Sequence, residues 1–281
     1  MKKCFRLLSL LLCGMLFLSG CASGAPSQTL SAADEPVSVT FFDVGKADAI
    51  LIQTEESVVM IDTGTADGAE ELVGQLKELG ISAIDILFIS HFDQDHVGGA
   101  AQILSNFQVG KIYVTYLSKE SDEIDAYLSA LATTGVSEKV VQSRTELSLD
   151  GVNYTIIPPQ EKDYGNNTSN DSSLVVKAVF GSLSFLFTGD IEKDRIQELL
   201  DAGEDLSCTV LKVPHHGGVE DNTKELIAAC VPSYAVITCS DDEPEDEETL
   251  EYLTKQNVET WLTREGTVQI STDGQTVTVL Q

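Results

Sequence analysis

From residue 37 onward, apolar and polar positions alternate in short blocks rather than in long periodic tracts. Residues 38–44, 49–53 and 58–61 are strand-like runs separated by polar or glycine punctuation. Residues 69–79 then place Leu72, Val73, Leu76 and Leu79 on one helical face, and Gly80 follows where a C-cap glycine belongs. Residues 84–89 form a nearly continuous apolar run, the pattern of a strand covered on both faces. Helical spacing recurs near 99–106, 122–132, 191–201, 222–229 and 247–256. Strand-like spacing recurs near 111–115, 153–157, 174–180, 184–188, 208–213, 234–238, 267–271 and 275–280. Strands and helices so intermixed predict one layered α/β domain with mixed sheets, and no repeat or internal linker divides it.

The N-terminal stretch differs. Lys2, Lys3 and Arg6 make a basic start, and residues 7–18 are almost wholly apolar. That run is too short to span a bilayer comfortably as a permanent helix, but it suits the core of an export signal. Leu18-Ser19-Gly20-Cys21 resembles the lipobox of bacterial lipoproteins, in which cleavage leaves the cysteine as the acylated first residue. On this reading residues 1–20 are a signal peptide, 21–36 a flexible tether and 37–281 the folded domain. The domain is then held outside the cytoplasm by a lipid on Cys21; an uncleaved membrane anchor is the alternative. Six cysteines fall to Cys21, Cys208, Cys230 and Cys239. With Cys21 lipidated the rest are odd in number, which does not describe a disulfide framework, although a single Cys230–Cys239 bridge stays open.

Composition narrows the function classes. Apolar residues at 42% and charged residues at 22% exclude wholesale disorder. Seventeen Lys and Arg face 45 Asp and Glu, a net charge of -28 that repels polyanions and anionic surfaces at long range. Long nucleic acid is therefore a poor partner, whereas a small phosphoester or nucleotide is compatible. The acidic stretch 241–248 reads as a solvated loop and helix start.

The four histidines fall in two tight clusters, His91-Phe-Asp93-Gln-Asp95-His96-Val-Gly-Gly and His215-His216-Gly-Gly. Each follows an apolar strand and runs into paired glycines, which let a backbone turn tightly beneath a bound ion. Imidazoles and carboxylates so concentrated point to a divalent-cation site. Asp190 ends another apolar strand, where its carboxylate can bridge cations, and Asp62 in Asp62-Thr63-Gly64 can orient ligand histidines. Lys46 and Lys212 lie near these motifs; each reads either as a contact to an anionic substrate or as a snorkelling lysine.

As a set, Asp62-Thr63-Gly64, His91-x-Asp93-x-Asp95-His96, Gly189-Asp190 and His215-His216-Gly217 resemble the metallo-β-lactamase superfamily. Phe42-Asp43-Val44-Gly45, Asp48-Ala49 and Asn170-x-x-Ser173-Leu174-Val175 are similar to the hydrolase domain of competence DNA-uptake (ComEC-like) proteins. The resemblance spans residues 38–280. It implies an αββα four-layer sandwich with mixed β-sheets and one or two divalent ions, zinc or manganese, at one edge. His91 and Asp93 are then implied for one metal position, and Asp95 and His96 for the other. Asp190 lies between the two, and either His216 or His215 completes the set. His216 is favoured as the ligand and His215 as a substrate contact, Asp95 or a free carboxylate handles a proton, and Asn170 and Ser173 meet the substrate.

Three departures from the family pattern stand out. Asp93 stands where the superfamily usually has a histidine, the variant typical of the ComEC-like branch. No histidine lies between His96 and His215, where many relatives carry one, although Asn170 or Asp171 is near that place in sequence. The stretch Ser240-Asp-Asp-Glu-Pro244 replaces a Gly-His-Pro segment. The implied chemistry is hydrolysis by a water whose pKa a cation lowers from about 16 towards 7. The alternative is a catalytically weak lipoprotein that binds a ligand or partner on the same fold.

Overall fold

The computed structural model describes residues 36–281. The stretch read above as an export signal, Cys21 and nearly all of the expected tether lie outside that range. The strands are β1 Val37–Phe41, β2 Ile50–Gln53, β3 Val58–Ile61, β4 Ala83–Ile89, β5 Gln108–Val114, β6 Ser137–Val140, β7 Thr145–Leu149, β8 Val152–Ile157, β9 Val175–Phe180, β10 Leu183–Phe187, β11 Val210–Lys212, β12 Tyr234–Ile237, β13 Glu259–Leu262, β14 Val268–Thr272 and β15 Val277–Leu280. The helices are α1 Ala69–Glu78, α2 Gln94–Val97, α3 Ala100–Asn106, α4 Asp122–Thr134, α5 Thr168–Asp171, α6 Lys193–Ala202, α7 Thr223–Cys230 and α8 Glu247–Lys255.

One sheet has the order β15-β14-β1-β2-β3-β4-β5-β6 and the other β13-β12-β11-β10-β9-β8-β7. Each is mixed: β3 through β6 run parallel, as do β10 through β13, and the remaining neighbours are antiparallel. Alternation along β4 explains the layering. Ile86 and Phe88 join the core between the sheets, while Leu87 and Ile89 pack outward with Leu72 and Leu76 of α1 and Ile103 of α3. The second sheet repeats the device, with Leu186 and Leu211 turned outward to Ile196 of α6, Ile227 of α7 and Leu253 of α8. The result is the layered α/β domain that the hydropathy pattern predicts, in the αββα form that the resemblance implies.

Local differences have local causes. Leu79 lies past the end of α1 and is exposed, while Gly80 takes the left-handed turn (φ 79°) expected of it. Strands β6, β7 and β13, absent from the hydropathy reading, are sheet edges with at most one fully buried residue each, so no apolar run betrays them. Cys208, Cys230 and Cys239 are buried free thiols, so the Cys230–Cys239 bridge left open above is not formed. Among the described residues no helix is long and apolar enough to cross a membrane.

Candidate metal centre

The parallel strands of both sheets deliver their polar side chains to one edge of the sandwich. Asp62 follows β3, His91 follows β4, Asp190 follows β10, and His215 and His216 follow β11. The single turn α2 carries Asp95 and His96, with the Asp93 carbonyl accepting from the amides of His96 and Val97 at 3.0 and 2.9 Å. Three of these residues have left-handed backbones without being glycine: Asp62 (φ 56°), His215 (48°) and His216 (52°). Such conformations cost about 1–3 kcal/mol each and persist where the surroundings over-determine them.

Four donors converge. Asp190 Oδ2 lies 3.2 Å from His96 Nε2 and 3.1 Å from His216 Nε2, and Asp95 Oδ2 lies 3.3 Å from His216 Nε2. One ligand atom from each of Asp95, His96, Asp190 and His216 falls within 4.8 Å of all the others. Each imidazole is oriented from behind. His96 Nδ1 meets Asp62 Oδ2 at 2.9 Å, and His216 Nδ1–H donates to the Thr238 carbonyl at 2.8 Å. The Ser90 hydroxyl donates to Asp62 at 2.6 Å, so His91 Nδ1–H must donate to Ser90 Oγ, 3.0 Å away. The Nε2 atoms of His91, His96 and His216 are buried without hydrogen-bond partners. Buried lone pairs beside carboxylates are costly alone and are satisfied by a divalent cation, so the donor set fits one.

Charge follows the same geometry. Burial disfavours charge on His216, yet Asp190 and Asp95 lift it to about 9. Burial likewise opposes charge on His96, and Asp190 and Asp62 raise it well above the usual imidazole range. Burial alone would raise Asp190, but His216, His96 and Lys212 hold it well below the carboxylate range. His91 is driven down to about 3 by burial and by His96. Without a cation the neighbouring carboxylates favour protonation of His96 and His216, while burial favours a neutral His91. Cation binding would displace those protons.

The remaining sequence candidates divide. His91 and Asp93 are not part of the four-donor cluster; the Asp93 carboxylate instead binds Lys119 Nζ at 2.5 Å and the Ser169 hydroxyl. His215 sits at the mouth, its Nδ1 3.1 Å from Glu220 and 3.7 Å from Glu192. Asn170 donates to Glu192 at 2.6 Å, and Asp171 accepts from the Glu192 amide at 2.6 Å, so neither replaces the missing histidine. Ser173, expected to meet substrate, is fully buried, and its hydroxyl accepts from the Asp190 amide at 3.1 Å. It props the metal edge from beneath, out of a substrate's reach.

The glycine pairs also divide. Gly217 takes a left-handed turn (φ 81°), as a tight turn under an ion requires. Gly98 and Gly99 have ordinary helical angles, -57° and -80°. They are needed for space: an added Cβ would lie 2.3 Å from the Gln94 carbonyl oxygen at Gly98 and 2.2 Å from that of Thr63 at Gly99.

Lys46 keeps to the surface, 3.8 Å from Glu243. Lys212 is neither snorkelling nor open to substrate. Its ammonium is wholly buried, 2.6 Å from Asp48 Oδ2, 3.3 Å from Asp190 Oδ1 and 3.1 Å from the Gly189 carbonyl. Asp48 also accepts from the Thr238 hydroxyl at 2.6 Å, which completes the support behind His216. The one signal of this arrangement in the sequence is a lysine inside the apolar run Thr209-Val-Leu-Lys-Val213.

Comparison with known proteins agrees with this geometry. A family description, the metallo-β-lactamase superfamily, matches residues 42–239. ComE operon protein 3 of Bacillus subtilis is 28% identical over 220 residues, which cover 71% of this chain and 28% of that protein. Endoribonuclease ysh1 of Aspergillus fumigatus is 26% identical over 198 residues, covering 60% of this chain and 22% of that one. The chain thus spans less than a third of the length of these relatives. The crystal structure of the metallo-β-lactamase fold protein YhfI from Bacillus subtilis superimposes with a TM-score of 0.57 at 13% identity, over 83% of this chain and 99% of that one, a likeness of fold alone. With two mixed sheets between helices, and histidine and carboxylate donors gathered at their shared edge, the chain belongs to the metallo-β-lactamase superfamily, whose members are metal-dependent hydrolases.

Proposed function

We propose that this chain is a metal-dependent phosphodiesterase of small phosphoesters or nucleotides, and that it acts as a lipoprotein outside the cytoplasm. One observation carries the catalytic reading: the Nε2 atoms of His96 and His216 meet the same oxygen of Asp190, beside Asp95. A divalent cation held by these residues, zinc or manganese, supplies Lewis acidity and an activated water. Asp62, Thr238 and Asp48 keep the imidazoles in the ligating tautomer. Asp95, a quarter exposed, is placed to accept a proton from the attacking water. His215, 28% exposed and backed by Glu220, is the residue we assign to meet a phosphoryl oxygen of the substrate. The name of the ysh1 relative, an endoribonuclease, supports phosphodiester chemistry, while the net charge of -28 favours small substrates over long nucleic acid.

The test is bound metal per chain in protein purified without chelator, beside turnover of bis-p-nitrophenyl phosphate with zinc or manganese. Metal together with turnover that Asp190→Ala abolishes supports the enzyme. Metal-free protein after reconstitution sinks it. The engagement of Asp93 by Lys119 favours a second reading, a binding protein on the same fold, which metal without turnover of any phosphoester would support. The lipoprotein part rests on Leu18-Ser19-Gly20-Cys21 and is tested by labelling with a radioactive fatty acid, which Cys21→Ala must abolish.

A further inference from the structure

We propose that Lys119 is a latch on the second cation position, so that the resting protein holds one divalent cation rather than two. The inference rests on the metal-centre reading above. On the assignment that the resemblance implies, a second cation beside the first would draw on His91, Asp93 and a share of Asp190. Both of those carboxylates already carry an ammonium partner: Asp190 Oδ1 faces Lys212 at 3.3 Å, and Asp93 Oδ1 faces Lys119 at 2.5 Å with the Ser169 hydroxyl beside it. Positive charge therefore stands where a second ion would bring its own.

The two lysines differ in what they can do. Lys212 is closed to solvent and tied to Asp48, so it is permanent. Lys119 comes from the loop between β5 and α4, its side chain is 37% exposed, and its flexible stem lets the ammonium swing into water at little cost. The third donor is already prepared. His91 spends its Nδ1–H on Ser90 and keeps a buried, unpartnered Nε2. Filling the second position therefore needs the Asp93 carboxylate, whose Oδ1 Lys119 and Ser169 share, and the Lys119 charge beside it opposes a second ion until that ammonium leaves. Loading is stepwise, with a tight first cation and a weak second whose affinity Lys119 sets.

Full-length wild type, Lys119→Met and Lys119→Arg, stripped of metal, are each titrated with zinc, and bound zinc per chain is measured after dialysis. Wild type and Lys119→Arg are expected to retain about one equivalent. Lys119→Met retains a second, with its second binding step tightened at least about tenfold, and adding Asp93→Ala removes it again. Equal second-step affinities in wild type and Lys119→Met overturn the latch while leaving the metal centre standing. Absence of zinc from all the variants overturns both.

Discussion

The Asp48 carboxylate and the Lys212 ammonium lie 2.6 Å apart with both side chains closed to solvent. Asp48 precedes β2 of one sheet and Lys212 ends β11 of the other, so the pair ties the two sheets together at the metal edge. The same ammonium faces Asp190 Oδ1, which leaves the other oxygen of that carboxylate turned to the histidines.

Removing one member strands a buried charge. Lys212→Met is expected to cost about 3–5 kcal/mol in urea unfolding. Adding Asp48→Asn to it should recover part of that loss. Strictly additive losses in the double variant would show that the two side chains do not act as a pair.

The adjacent histidines should separate by readout. His216→Ala is expected to lose the tightly bound metal and with it all turnover. His215→Ala should keep the metal and lose about tenfold to a hundredfold in kcat, the scale of one positioned polar group. Elemental analysis beside steady-state kinetics distinguishes them, and metal loss in His215→Ala would reverse the assignment.

Gly99→Ala is a test of packing rather than of backbone freedom. Its Cβ would press on the Thr63 carbonyl, a fixed backbone atom. A loss of about 1–3 kcal/mol or more is expected, seen as a lower thermal midpoint. Gly74→Ala, at a half-buried position of α1 where an added Cβ meets nothing within 4 Å, should instead raise it slightly.

Asp171 gives a pH dependence with a definite sign. Burial, and then Glu192 nearby, raise its carboxyl to about 6 although the amide of Glu192 opposes the shift, and one of its oxygens is buried without a partner. The folded chain therefore binds a proton there that the unfolded chain releases near pH 4. Its contribution favours folding below that pH and is lost as pH rises towards 6. Asp171→Asn should abolish this part of the profile and stabilise the protein at neutral pH by about 2 kcal/mol. Denaturant unfolding from pH 4 to 7 checks it; parallel profiles for variant and wild type would refute it.

The central strands are legible in the sequence because coverage on both faces leaves a nearly unbroken apolar run, as in β4. The edge strands β6, β7 and β13 are not, since a strand that meets solvent needs no such run, whereas the edge strand β15 shows through its Val-Thr-Val alternation. In the site, short spacing carries the signal: Asp95 and His96 adjoin on one turn, and the histidine pair announces itself. Asp48 and Lys212 escape because each is ambiguous alone and their meaning lies in contact across the whole sandwich. Ser173 defeats the reading for the same reason, since a motif position does not reveal which way a hydroxyl faces. The tight-turn role expected of the glycines after His96 fails in a related way: Gly98 and Gly99 answer to neighbours distant in sequence, at Thr63 and Ala66.

The four converging donors come from opposite halves of the chain, Asp95 and His96 after a strand of the first sheet and Asp190 and His216 after strands of the second. A growing polypeptide cannot assemble the centre until residue 216 has been made and the two sheets have closed on each other. Before that, it offers a cation only Asp95 and His96 beside His91 and Asp93, a weak and mobile chelate that must bear the entropy of closing a long loop to improve. On the proposed function, cation capture would come at the end of maturation rather than seed it, and a chain cut short before its second histidine cluster would be expected neither to hold an ion firmly nor to act with it.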